Sequence, residues 1–149
     1  MLQQQNSQKI IYLADDDEDD RMLFLEAVEE LNLPIIVNTA EDGIQLLNDL
    51  YHNAISLPEI IFLDINMPGK SGFECLEEIR NAESPFSDVK VIMLSTSSNA
   101  ENINRSYELG ADFYAVKPGS FQALKDLLSN VMEIDWGMSG RNKTKYLLF

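Results

Sequence analysis

Five short, mostly apolar runs recur along this chain, each separated from the next by room for one helix. They are KIIYLA at 9–14, IIVNTA at 35–40, EIIFLD at 59–64, VKVIMLS at 89–95 and FYAVK at 113–117. A strand with one wet face alternates apolar and polar residues. These runs do not, so they suit a sheet buried on both faces.

The intervening stretches carry helical spacing. Leu23, Phe24, Ala27, Val28 and Leu31 repeat over 21–31, and Asn32-Leu33-Pro34 stops them. Ile44, Leu47 and Tyr51 define one face of a second helix, which ends near His52-Asn53. Two more fall at about 73–82 and at 99–109, the latter closed by Gly110. Leu124, Leu127, Leu128 and Val131 carry a last helix to about Trp136. Strict βα alternation with right-handed crossovers predicts an α/β fold. It is a (βα)5 doubly wound five-stranded parallel sheet, flavodoxin-like, in the order 2-1-3-4-5.

One domain accounts for 9–136, between a flexible arm at 1–8 and a tail at 137–149 too short for an output domain. The tail ends in Tyr146-Leu147-Leu148-Phe149 after Arg141, Lys143 and Lys145. It reads as a loose end. The competing reading docks its apolar tip on its own domain or on a partner.

With 25 Asp and Glu against 11 Lys and Arg, the net charge of −14 argues against a nucleic-acid surface. One cysteine, Cys75, and one histidine, His52, exclude disulfide frameworks and Cys- or multi-His metal centres. Cys75 reads as filler and His52 as a surface or capping residue. The apolar runs are far below the ~20 residues of a membrane span. The polar start MLQQQNSQK lacks a signal core. A cytoplasmic protein away from membranes is expected.

In such a sheet, ligands bind beyond the carboxyl ends of the strands, where the strand order switches. Strand 1 ends in Asp15-Asp16, strand 3 in Asp64, strand 4 in Ser95-Thr96 and strand 5 in Lys117. Three carboxylates sharing a pocket raise one another's pKa unless a cation is present. A hard cation such as Mg²⁺ answers that need. Carboxylate, Mg²⁺ and lysine together are equipment for phosphoryl transfer.

These residues bring a resemblance with them. Asp15-Asp16, the string DINMPGKSG at 64–72, Ser95 and FYAVKP at 113–118 resemble a response-regulator receiver domain of two-component signalling, of the stand-alone type. The resemblance implies that Asp64 is the phosphoacceptor. Asp16 and Asp64, the backbone carbonyl of Asn66 and, mostly through water, Asp15 would hold Mg²⁺. Ser95 would reach for the phosphoryl group, Tyr114 would move inward in response, and Lys117 would pair with a phosphoryl oxygen. The Lys117-Pro118 bond, often cis in such domains, would aim the lysine. Thr96 stands where many receivers have a smaller residue and would narrow water's access.

Six consecutive acids at 15–20 leave a second register, Asp16-Asp17, although aligning Asp20-Arg21 with the usual helix start favours Asp15-Asp16. Glu18, Asp19 and Asp20 read as a solvated helix start. The run also mimics a calcium loop, but Asp20 stands where that loop needs glycine.

The implied function is a phosphorylation-dependent switch or phosphorelay member rather than a metabolic enzyme. A sensor histidine kinase or histidine phosphotransfer protein would donate. A downstream protein would dock on the face of helix 4, strand 5 and helix 5, and a homodimer is a further expected assembly. The alternatives are a Mg²⁺-dependent phosphatase working through an aspartyl-phosphate, and a phosphate-independent docking module. Against the phosphatase, Asn66 replaces the second aspartate that such hydrolases place two residues after the nucleophile.

Overall fold

The computed structural model describes residues 8–52, 56–134, 136, 141 and 145–148. The expected arm at 1–8 therefore lies outside the described residues except for Gln8. Five strands and five helices alternate: β1 (Lys9–Ala14), α1 (Glu18–Leu31), β2 (Ile35–Ala40), α2 (Gly43–His52), β3 (Ile60–Asp64), α3 (Gly72–Arg80), β4 (Lys90–Ser95), α4 (Ala100–Leu109), β5 (Phe113–Val116) and α5 (Phe121–Met132). A sixth strand, β6 (Leu147–Leu148), follows. Every pairing is parallel and the order is 2-1-3-4-5-6, so the expected order holds and the sheet gains one strand.

Period two along each strand divides the core into two layers. On one face Tyr12, Ile61, Leu63, Met93 and Tyr114 meet Leu46, Leu50, Phe73, Leu76 and Ile79 of α2 and α3. On the other, Ile11, Leu13, Phe62, Ile92 and Leu94 meet Phe24, Val28, Leu127 and Val131 of α1 and α5. Phe24 packs edge-on to Phe62 with centroids 5.1 Å apart. β3 is buried at all five positions, whereas β2, at the sheet edge, alternates.

Several boundaries shift for local reasons. The first helix starts at Glu18 rather than 21, because the Asp17 carboxylate caps the Asp20 N–H at 3.0 Å. A reciprocal capping box of Ser71 and Glu74 starts α3. Gly110 ends α4 with φ of 106°, a conformation that suits glycine.

The face expected on α2 is rotated. Ile44 and Tyr51 are about half exposed; Leu47 faces the sheet as expected, joined by Gly43, Leu46 and Leu50. The i, i+3, i+4, i+7 set at 43, 46, 47 and 50 outcompetes the stripe through 44 and 51. Tyr51 still lays its ring edge on Phe86, with centroids 4.9 Å apart.

The tail does not behave as a loose end throughout. Residues 145–148 are docked on the domain, with Leu147 and Leu148 in register with Tyr114 and Ala115. No cis peptide bond occurs among the described residues, so the Lys117-Pro118 bond is trans.

Candidate functional site

β1 and β3 are neighbours, and β1 ends one residue before Asp15 while β3 ends on Asp64. That adjacency sets Asp15, Asp16 and Asp64 together, each offering a carboxylate oxygen within 4.8 Å of the others. Asp15 and Asp64 are buried and Asp16 is exposed. Asp17 turns away to cap α1, so Asp15-Asp16 rather than Asp16-Asp17 is the pair beside Asp64. Asp15 is fixed by the Asp17 N–H at 2.9 Å, and its backbone carbonyl accepts from Arg21 at 2.8 Å.

β5 delivers Lys117 to the same point. The Lys117 N–H donates to the Ser95 carbonyl at 2.7 Å, tying the ends of β5 and β4 together. Its Nζ lies 3.0 Å from Asp15 Oδ2, 3.2 Å from Asp64 Oδ2 and 3.0 Å from Asp20 Oδ2. An ammonium has three hydrogens, and three carboxylates take them. Burial alone would lower the lysine pKa, but these partners hold it above its ordinary value.

The Asp64 carboxyl is also pushed up, to about 6. Burial is the chief cause, Lys117 opposes it, and the neighbouring Asp15 charge adds to it. Three crowded oxygen donors, two of them on buried residues, suit a hard divalent cation. The Asn66 N–H contacts Asp64 Oδ1 at 3.3 Å, placing that residue's backbone against the acceptor.

Ser95 is fully buried at the end of β4, where its Oγ accepts from the Ser97 N–H at 3.1 Å. Tyr114 is fully buried too. Its hydroxyl donates to the Ser97 carbonyl at 2.7 Å and lies beside Ser95. Thr96 is exposed. Between α1 and α5, a cavity of about 180 Å³ walled by Leu13, Leu23, Phe24 and Phe121 opens beside Lys117.

A match to the response regulator receiver domain model covers residues 11–129. The chain belongs to the response-regulator receiver family. This receiver is 31% identical over 140 residues to the response regulator Rcp1 of Synechocystis, covering 91% of this chain and 92% of that one. It resembles the structure of the phosphorylated cyanobacterial phytochrome response regulator RcpA with a TM-score of 0.78 and 32% identity, over 90% of this chain and 98% of that one. A third likeness, to the Mn²⁺-bound form of Rcp1, has a TM-score of 0.73 at 25% identity, over 90% and 99% of the two chains.

Of the residues named from sequence for the receiver site, Asp15, Asp16, Asp64, Ser95 and Lys117 converge at one end of the sheet, Tyr114 reaches Ser95 through its hydroxyl, and Asn66 meets Asp64 through its N–H. Two others were missed. Asp20 reads as solvated helix start but pairs with Lys117, and Arg21 braces the Asp15 backbone. The i to i+3 spacing from Asp17 to Asp20 marks a capped turn and says nothing of a lysine far along the chain. His52 is exposed, with Nδ1 at 2.7 Å from the Asn48 carbonyl. Cys75 is buried and its thiol is pushed up to about 12 by that burial, so it takes no part.

Proposed function

We propose that this receiver is a phosphorylation-dependent switch in which Asp64 accepts a phosphoryl group from the phosphohistidine of a sensor kinase or phosphotransfer protein. The observation that carries the reading is one lysine ammonium placed 3.2 Å from a buried strand-end carboxylate that shares its pocket with two more. An Asp64 oxygen attacks phosphorus, the P–N bond to imidazole breaks, and its electron pair returns to the ring nitrogen. Lys117 exchanges its Asp64 contact for an oxygen of the incoming group. Ser95, one strand away, offers its hydroxyl to another.

Asp15, Asp16, Asp64 and the Asn66 backbone carbonyl would hold Mg²⁺, which supplies charge neutralisation for the transferring oxygens when bound. The added charge, about −1.5 to −2, draws Ser95 and Lys117 into a new arrangement. Output passes by protein contact through the face of α4, β5 and α5, with no chemistry on a small substrate.

Phosphoramidate, a small P–N donor, tests the reading. With Mg²⁺, phosphorus NMR should show one acyl-phosphate resonance that Asp64→Asn abolishes. Sustained donor hydrolysis without that resonance would support a phosphatase. No uptake and no hydrolysis would leave a docking module.

A further inference from the structure

The docked tail reaches the receiver site through one side chain. Tyr146 is only 2% exposed although it sits at the sheet edge. Its carbonyl accepts from the Tyr114 N–H at 2.9 Å. Its ring lies edge-on to Tyr107 of α4, with centroids 5.1 Å apart, and 6.4 Å from the Tyr114 ring. Ser106 Oγ donates to the Ile103 carbonyl at 2.9 Å, which uses its one hydrogen. The Tyr146 hydroxyl is therefore the donor in its 2.5 Å bond to Ser106. Arg141 adds a second clasp, stacking over the Tyr107 ring at 4.1 Å and donating to the Ala111 carbonyl at 2.9 Å.

The consequence falls on Tyr114. With Tyr146 filling the crevice between α4 and β5, the Tyr114 ring is held on the side of the β4–α4 loop, hydroxyl on Ser97 and beside Ser95. A continuous set of contacts thus runs from Asp64's neighbour Ser95 through Tyr114 to Tyr146 and α4.

We propose that Tyr146 is a positioning residue for Tyr114, so that docking of residues 145–148 on β5 is coupled to the arrangement of Ser95 beside Asp64. The functional half of this statement rests on the receiver reading; the positional half does not. Coupling is reciprocal. A docked Tyr146 favours the inward Tyr114 and hence the phosphorylated state, and phosphorylation tightens the docking.

The test uses the full chain labelled with 3-fluorotyrosine, the Tyr114 resonance being assigned with Tyr114→Phe. In Tyr146→Ala the Tyr114 fluorine signal should move toward its unfolded position, whereas Tyr146→Phe, which keeps the ring, should leave it in place. Beryllium fluoride with Mg²⁺ then serves as a phosphoryl mimic. Its affinity should fall about fivefold in Tyr146→Ala and recover in Tyr146→Phe, and it should slow amide exchange at 145–148 by a similar factor in the wild type.

If Tyr146→Ala does not fold, Tyr146→Leu, which keeps an apolar side chain but loses the ring, should give the same shifts in smaller measure. An unmoved Tyr114 signal, or unchanged mimic affinity beside a moved signal, overturns the coupling. Loss of exchange protection on dilution would mean that a second copy supplies β6, and overturns it as well. A wild type that binds no mimic sinks the phosphorylation-switch reading instead, while the fluorine signal still decides whether Tyr146 positions Tyr114.

Discussion

Lys117 Nζ stands as close to Asp20, on the first turn of α1, as to Asp15 at the end of β1: 3.0 Å in each case. The lysine is thereby held between two elements, and Asp20 brings a fourth negative charge to a pocket that already has three. Asp20→Asn should weaken divalent-cation binding, read by the free Mn²⁺ signal in electron paramagnetic resonance, by about three- to tenfold. Phosphoryl uptake at saturating metal should quicken, because Lys117 loses a competitor for the incoming oxygens. Folding stability should fall by no more than ~1 kcal/mol, since Asp20 is partly exposed.

The Asp64 carboxyl, at about 6 instead of 3.8, gives the metal-free protein a pH signature. The folded state holds that proton more tightly than the unfolded chain does. As pH rises through the window from about 4 to about 6, folding releases less free energy, and the loss is complete above it. Urea melts of the wild type and Asp64→Asn at pH 4.5 and 7 isolate the effect. The variant should be the more stable at pH 7 by about 1–2 kcal/mol and should lose most of that advantage at the lower pH. An equal difference at both pH values would contradict the burial argument.

Arg80 works at the opposite end of the sheet. It donates to the carbonyls of Gly110, Ser87 and Val89 and pairs with Asp112 at 2.8 Å, while Asp112 also accepts the Val91 N–H. Arg80→Met keeps the aliphatic stem but leaves the buried Asp112 without its cation. A loss of about 3 kcal/mol in denaturant unfolding is expected. Metal affinity should not change.

Gly72 opens α3 at the end of the loop that follows Asp64. A Cβ there would collide with the Asp64 carbonyl oxygen and come 2.8 Å from Ile65 Cα. Gly72→Ala must push the β3–α3 loop away, at a cost of about 2 kcal/mol and with weaker metal binding. Gly119, where a Cβ meets nothing within 4 Å, should tolerate alanine and serves as the control.

What the chain declares in its sequence follows from how local each signal is. Runs such as IIFLD name buried parallel strands, and polar residues at their carboxyl ends name the site, because the doubly wound topology leaves them nowhere else to point. The α2 face was misread because Ile44 and Tyr51 obey the same helical period as Leu46 and Leu50, and only the sheet decides between them. Tyr146 was ambiguous for a different reason. Its burial depends on Ser106 and Tyr107 of α4 and on the unpaired edge of β5, partners that no pattern within the tail encodes. Asp20 likewise depends on a lysine on the last strand of the predicted sheet.

The central claim is that Asp64 carries the phosphoryl group, and intact-protein mass tests it most directly. After incubation with acetyl phosphate and Mg²⁺, the wild type should gain a single phosphoryl mass that hydroxylamine removes. Chelation of the metal and Asp64→Asn should each prevent the gain. A phosphoryl adduct of equal yield on Asp64→Asn, or one indifferent to Mg²⁺, would contradict the account.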